Sequence, residues 1–153
     1  MSKIFNLAKK LTGSRINLTS FSIIVDPNNE NWALELKTYL FINAACFQYK
    51  EYNTDINNLD QTLKFIRKEH TLIKEFYNKT PKETLFPLIL LYELLDRLEQ
   101  EKININNYLF YLKFDYNGRL NINWNLNKII TYHFGNFDNA VNETINYLKE
   151  KLN

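Results

Sequence analysis

Residues 108–126 fit together as a hairpin in one register. Tyr108, Phe110, Leu112 and Phe114 alternate with Leu109, Tyr111, Lys113 and Asp115. Beyond Tyr116-Asn117-Gly118, the residues Leu120, Ile122, Trp124 and Leu126 alternate with Asn121, Asn123 and Asn125. A period of two marks strands with one buried face. A two-residue Asn117-Gly118 turn sets Phe114 opposite Asn121 and mixes the faces. A three-residue loop sets Phe114 opposite Leu120, Leu112 opposite Ile122 and Phe110 opposite Trp124, which keeps one side apolar. A slip of one residue would move every side chain to the wrong face, so the three-residue loop is predicted. Gly118 is then left-handed and Asp115 faces Arg119.

The remainder of the chain supplies helices to cover that apolar side. Ile4, Leu7, Ala8 and Leu11 fall at helical spacing before Gly13. Ile16, Leu18 and Phe21 to Val25 read as extended, stopped by Asp26-Pro27-Asn28-Asn29. Leu59, Leu63, Ile66, His70, Ile73 and Tyr77 form one helical stripe, which Leu72 and Phe76 widen. Thr80-Pro81-Lys82-Glu83 is a capping box with proline at the first helical position. In the helix that follows, Pro87 predicts a kink or a restart. Ile129 to Phe134 reads as a further strand. Residues 138–152 close the chain as an amphipathic helix with Val141, Ile145, Leu148 and Leu152 inward.

Trp32 to Tyr52 carries two signals at once. Asp26 as N-cap, Pro27 at the first helical position and Glu30 in the first turn announce a helix, and Ala33, Leu34, Leu36 and Lys37 favour one. Trp32, Leu34, Leu36 and Leu40 nevertheless alternate with polar residues as a strand would. The start signals predict helix. The whole, residues 1–153, reads as one α+β domain: several helices on one face of a small antiparallel sheet, with the hairpin at 108–126 and a C-terminal helix.

Composition excludes several activities. Nineteen Lys and Arg against 17 Asp and Glu leave a formal net charge of +2, too balanced for affinity built on phosphate neutralisation. Nucleic acid is therefore not the expected partner, and the lysine-rich stretch from Lys64 to Lys82 reads as a solvated helix face. Three glycines leave no room for a phosphate loop or a dinucleotide fingerprint. The single cysteine, Cys46, sits among small and apolar residues and reads as a buried thiol. His70 and His133 have no metal-ligand spacing and read as structural. The N-terminal residues lack a signal-peptide layout, and the longest apolar run, Leu85 to Tyr92, is too short to span a bilayer. The expected location is cytoplasmic, without membrane contact.

Asp26, followed nine residues later by Glu35-Leu36-Lys37, resembles the metal-binding core of PD-(D/E)XK nucleases. In that family two carboxylates hold Mg²⁺ and the lysine helps to position the attacking water. Gln48 and Tyr52 match the Gln-x-x-x-Tyr element of some of its branches. The resemblance covers only Asp26 to Tyr52 and implies a strand there. It departs from the pattern in the proline after Asp26 and in a first helix without an acid.

The leading candidate is the polar side of the hairpin: Tyr111, Lys113, Arg119, Asn121, Asn123 and Asn125. Amides offer donors and acceptors together. If a two-residue Asn127-Lys128 turn leads into the next strand, Ile130, Tyr132 and Phe134 join that side and mix aromatics with amides, as at many protein interfaces. The function expected is a small non-enzymatic protein-binding module that neutralises or regulates a partner protein, of immunity, antitoxin or anti-defence type. Its expected contacts are Tyr111, Lys113, Arg119, Asn121, Asn123 and Tyr132, with no cofactor. The alternative is a Mg²⁺-dependent nuclease, or an inactive relative, using Asp26, Glu35 and Lys37.

Overall fold

The computed structural model describes residues 3–14, 16, 18–42, 45–73, 85–115 and 119–152. In chain order its elements are α1 (Lys3–Thr12), β1 (Leu18–Val25), β2 (Ala33–Ile42), β3 (Ala45–Asp55), α2 (Leu59–Leu72), α3 (Leu85–Gln100), a 3₁₀ turn (Ile105–Asn107), β4 (Phe110–Asp115), β5 (Leu120–Trp124), β6 (Lys128–Tyr132) and α4 (Phe137–Leu152). The strands form one six-stranded sheet in the order β3-β2-β1-β4-β5-β6. Every neighbouring pair is antiparallel. The expected α+β domain with a C-terminal helix is the fold observed.

One continuous core joins the sheet to the helices. Phe21, Ile23 and Val25 of β1, Leu34 and Leu36 of β2, and the alternate residues of β4 and β5 cluster with residues of all four described helices. The predicted hairpin register is observed in full: Phe114 opposite Leu120, Leu112 opposite Ile122 and Phe110 opposite Trp124. Tyr116, Asn117 and Gly118, which carry the predicted turn, lie outside the described residues, as does the capping box at Thr80–Glu83. The side chain of Cys46 lies outside them too.

Residues 33–42 are a strand, not the expected helix. The helix-start signals are spent on a turn: Asp26 Oδ1 accepts the Asn28 N–H at 2.8 Å, and Asp26 O accepts the Asn29 N–H at 3.2 Å. Asparagine and aspartate side chains satisfy such tight turns as readily as they cap helices. Beyond the turn, β2 gains a ladder on each side, to β1 and to β3. A segment hydrogen-bonded along both edges outweighs local helix propensities of a few tenths of a kcal/mol per residue.

Two smaller expectations are corrected. Leu72 is 77% exposed and does not widen the stripe of α2, whose buried residues are Leu59, Leu63, Ile66 and His70. Pro87 lies in the first turn of the described part of α3, and residues 81–84, on which the expected kink or restart depends, lie outside the described residues.

The second correction concerns β6. It is joined to β5 by a three-residue loop, not by an Asn127-Lys128 turn, and the closing pair is Trp124 with Lys128. Asn125 and Leu126 both take positive φ, 54° and 56°, and the Asn127 N–H returns to Trp124 O at 3.0 Å. This register turns Ile130 and Tyr132 into the core and leaves Ile129 outside. A left-handed leucine costs about 1–2 kcal/mol. Burying an isoleucine and a tyrosine returns roughly 1.5–3 kcal/mol for each, so the inward register wins.

Candidate functional site

The side of the sheet away from the core carries no described helix. Its residues follow from strand alternation and register, which sort them into three rows running across the strands. Ser22 heads the middle row, with Glu35 and then Asn53 on one side and Lys113 and then Asn121 and Thr131 on the other. Ser20 heads the next, with Lys37 and Glu51 on one side. Ile24 heads the third and leads through Tyr111 and Asn123 to Ile129.

Four of the six expected contacts, Tyr111, Lys113, Asn121 and Asn123, lie together on this face and are half-buried. Arg119 is exposed one residue before β5, in phase with Asn121 and Asn123. Tyr132 is not on it. Its ring is fully buried, a consequence of the loop before β6, and Trp124 Nε1 donates to its hydroxyl at 3.1 Å. Asn125 sits in that loop, where its Nδ2 donates to the Tyr147 hydroxyl at 3.3 Å.

Sequence reading missed two residues that complete the third row. Ile24 is 40% exposed and Ile129 is 68% exposed, large apolar side chains on an otherwise polar surface. Between them Asn123 Oδ1 is enclosed, with no hydrogen-bond partner among the described residues. The Thr131 hydroxyl donates to Asn121 Oδ1 at 2.7 Å, so the neighbouring amide is fixed. The row therefore combines apolar bulk with an aromatic ring, the chemistry of a protein contact surface.

The carboxylates of the nuclease-like pattern are dispersed. Glu35 and Lys37 do share the open side of β2, with Lys37 Nζ 3.7 Å from Glu35 Oε1. Glu35 lies opposite Ser22, and Asp26 stands four residues beyond Ser22 in the chain, about 13 Å away at the strand rise. The structure does not bring Asp26 to the pair. The acid nearest Glu35 is instead Glu51 on β3, whose carboxyl is raised above the usual range by a hydrogen bond with Glu35. Among the described residues no group of three or more His, Cys, Asp or Glu side chains is placed to hold a metal ion.

Gln48 and Tyr52, the other matched positions, are on β3. The Tyr52 hydroxyl faces the core side and donates to Glu69 of α2, which also accepts from Lys50 Nζ at 2.8 Å. Burial pushes the Tyr52 phenol up, and the Glu69 carboxylate adds to that. Burial alone would raise Glu69, but the hydrogen bonds from Lys50 and Tyr52 outweigh it and hold the carboxyl below its usual range. These groups clip α2 to the edge of the sheet.

His70 is 3% exposed inside α2, and burial pushes its pKa down to about 4 against the pull of Glu69. His133 follows β6 and uses Nδ1 to accept the Gly135 N–H at 3.1 Å. No described helix is long and apolar enough to cross a membrane. Comparison with known protein families, with curated proteins and with solved structures found no match.

Proposed function

We propose that this chain is a cytoplasmic, non-enzymatic binding module that neutralises or regulates a partner protein through the open face of its sheet. The observation that supports this reading is the Ile24–Tyr111–Asn123–Ile129 row. It spans four strands of a rigid sheet whose other face is locked to the helices. A partner docking there would cover Ile24, Tyr111 and Ile129, and the flanking Lys113, Arg119 and Asn121 would form a polar rim. Immunity proteins and antitoxins act in this way, by occupying a partner's surface without chemistry of their own.

The test is a triple substitution, Tyr111→Ala, Arg119→Ala and Ile129→Ala. All three residues lie outside the core, so folding should survive. If they anchor the interface, each should weaken binding by about 2 kcal/mol or more at a hot spot, and the triple variant should fail to retain a partner that co-purifies with the unaltered chain. Undiminished binding by the triple variant would put the site elsewhere.

The nuclease reading keeps one supporting observation: Glu35 and Lys37 stand side by side on a strand. It is tested by incubating the protein with labelled DNA and RNA, with Mg²⁺ or Mn²⁺ and with EDTA, beside a Glu35→Ala control. Metal-dependent cleavage that disappears in the control would replace the binding reading.

A further inference from the structure

In the Ser22 and Ser20 rows the charges of the open face are arranged antisymmetrically about β1. In the Ser22 row, Glu35 lies one strand to one side and Lys113 one strand to the other. In the Ser20 row, Glu51 lies two strands out through Lys37, and Arg119, one residue before β5, stands two strands out on the opposite side. Bulk follows the same rule in the Ile24 row, where Tyr111 flanks Ile24 on one side. On the other, one residue beyond the Ile23–Leu34 pair, is the small Ala33. The axis itself is narrow: Ser20 and Ser22 are small, and Ser22 is only 5% exposed between its longer neighbours.

A surface with this pattern is complementary to itself under one operation. We propose that the open face pairs with the open face of a second copy of this chain, about a two-fold axis running along β1. The rotation exchanges the two sides, so Glu35 meets Lys113 of the second copy and Glu51 meets its Arg119. Tyr111 lies over Ala33, and Ser20, Ser22 and Ile24 meet their own counterparts. Such a contact is isologous, and every pairing occurs twice. The sheets stack in the aligned manner, about 10 Å apart and about 30° from parallel because each is twisted. A two-fold axis lying across the strands on the Ser22 row is rejected by charge, since it sets Glu35 against Glu35 and Lys113 against Lys113.

Size fixes the strength of the pair. With β1 on the axis the strands from β3 to β5 overlap in both copies, and five strands at about 4.8 Å spacing and about five residues of length give roughly 400 Å² of projected face per copy. That is at the low end for specific interfaces, and a polar contact of this area gives a weak dimer, of the order of micromolar or weaker. Because the dimer covers Ile24 and Tyr111, it excludes any partner that uses them. The proposal does not depend on such a partner existing.

Sedimentation equilibrium of the full chain from about 5 µM to about 500 µM tests it. Lys113→Glu and Glu35→Lys are each made separately. The unaltered chain should dimerise with rising concentration, less so as salt is raised and the ion pairs are screened. Each variant should dimerise about tenfold or more weakly, since each repeats a like-charge contact across the axis. An equimolar mixture of the two variants should recover association. The chain with Lys113→Glu then presents an acid at both positions, and the chain with Glu35→Lys presents a base at both. A chain that stays monomeric throughout, or a mixture that associates no better than its components, overturns the proposal. Either failure leaves the partner reading to its own test, which detects a heterologous protein and not a second copy.

Discussion

The hydroxyl of Tyr132 accepts the indole N–H of Trp124 at 3.1 Å, and the same oxygen lies 2.5 Å from Thr144 Oγ1. Thr144 in turn donates to Ala140 O at 2.8 Å, so the Tyr132 hydroxyl is the donor to Thr144. Three buried side chains from β5, β6 and α4 thus form a relay in which each donor meets an acceptor. Removing the Tyr132 oxygen leaves the Trp124 N–H buried and unsatisfied. Tyr132→Phe should lower stability by about 1–3 kcal/mol in urea unfolding. Thr144→Val should cost a similar amount, and the two together less than their sum.

Two left-handed residues are open to relief. Leu126 is held at φ 56° while 55% exposed, and Lys102 at φ 60° closes the end of α3. There the Ile103 N–H bonds Leu98 O and the Lys102 N–H bonds Glu99 O, both at 2.9 Å, at a position that glycine ordinarily occupies. Leu126→Gly and Lys102→Gly should each raise stability by about 1 kcal/mol, seen as a higher denaturation midpoint.

Acid should destabilise the fold through His70 before most carboxylates matter. Its pKa is about 4 in the folded chain against an ordinary 6.5, so the unfolded chain binds the extra proton between those values. Stability is therefore complete above about pH 6.5 and is lost as pH falls toward 4. Asp55, Asp60 and Glu69, all held low, add their losses below their own ordinary range. Unfolding measured at several pH values should show this slope, and His70→Phe should flatten its upper part.

Asn136 closes part of the free edge of β6. Its Nδ2 donates to Thr131 O and its Oδ1 accepts from the His133 N–H, both at 2.9 Å, as the peptide of another strand would. Edge groups left open recruit other chains. Asn136→Ala should raise aggregation in light scattering with little change in secondary structure by circular dichroism.

The elements that local pattern fixes were legible in the sequence. The β4–β5 register follows from side chains at 110–114 and 120–124, since only one pairing keeps Trp124 and Phe110 on one side. The helical stripes of α1, α2 and α4 were equally plain. Strand β2 was misread because its identity depends on β1 and β3, while its own residues, Ala33 to Lys37, are helix formers. The placement of Tyr132 turned on a leucine accepting positive φ, which no propensity favours.

The candidate site divides in the same way. Tyr111, Lys113, Asn121 and Asn123 were readable from alternation alone. Ile24 and Glu35 reach the same rows only because β1 lies between β2 and β4, a pairing that spans most of the chain, and Ile129 does so through the loop that sets it opposite Asn123. Alternation around Phe21, Ile23 and Val25 did signal that Ile24 points the other way.

The most direct measurement is photo-crosslinking from position 111 in cells that naturally contain the protein, with a benzophenone side chain in place of the tyrosine. A second probe at Arg67, exposed on α2, serves as control. The expected result is a discrete cross-linked species containing a heterologous protein from position 111 and none from position 67, lost when Arg119 and Ile129 are changed to alanine. A product of twice the chain mass reports the second copy and is separated from it by size. Heterologous cross-links from position 67 with none from position 111 would contradict a binding site on the open face.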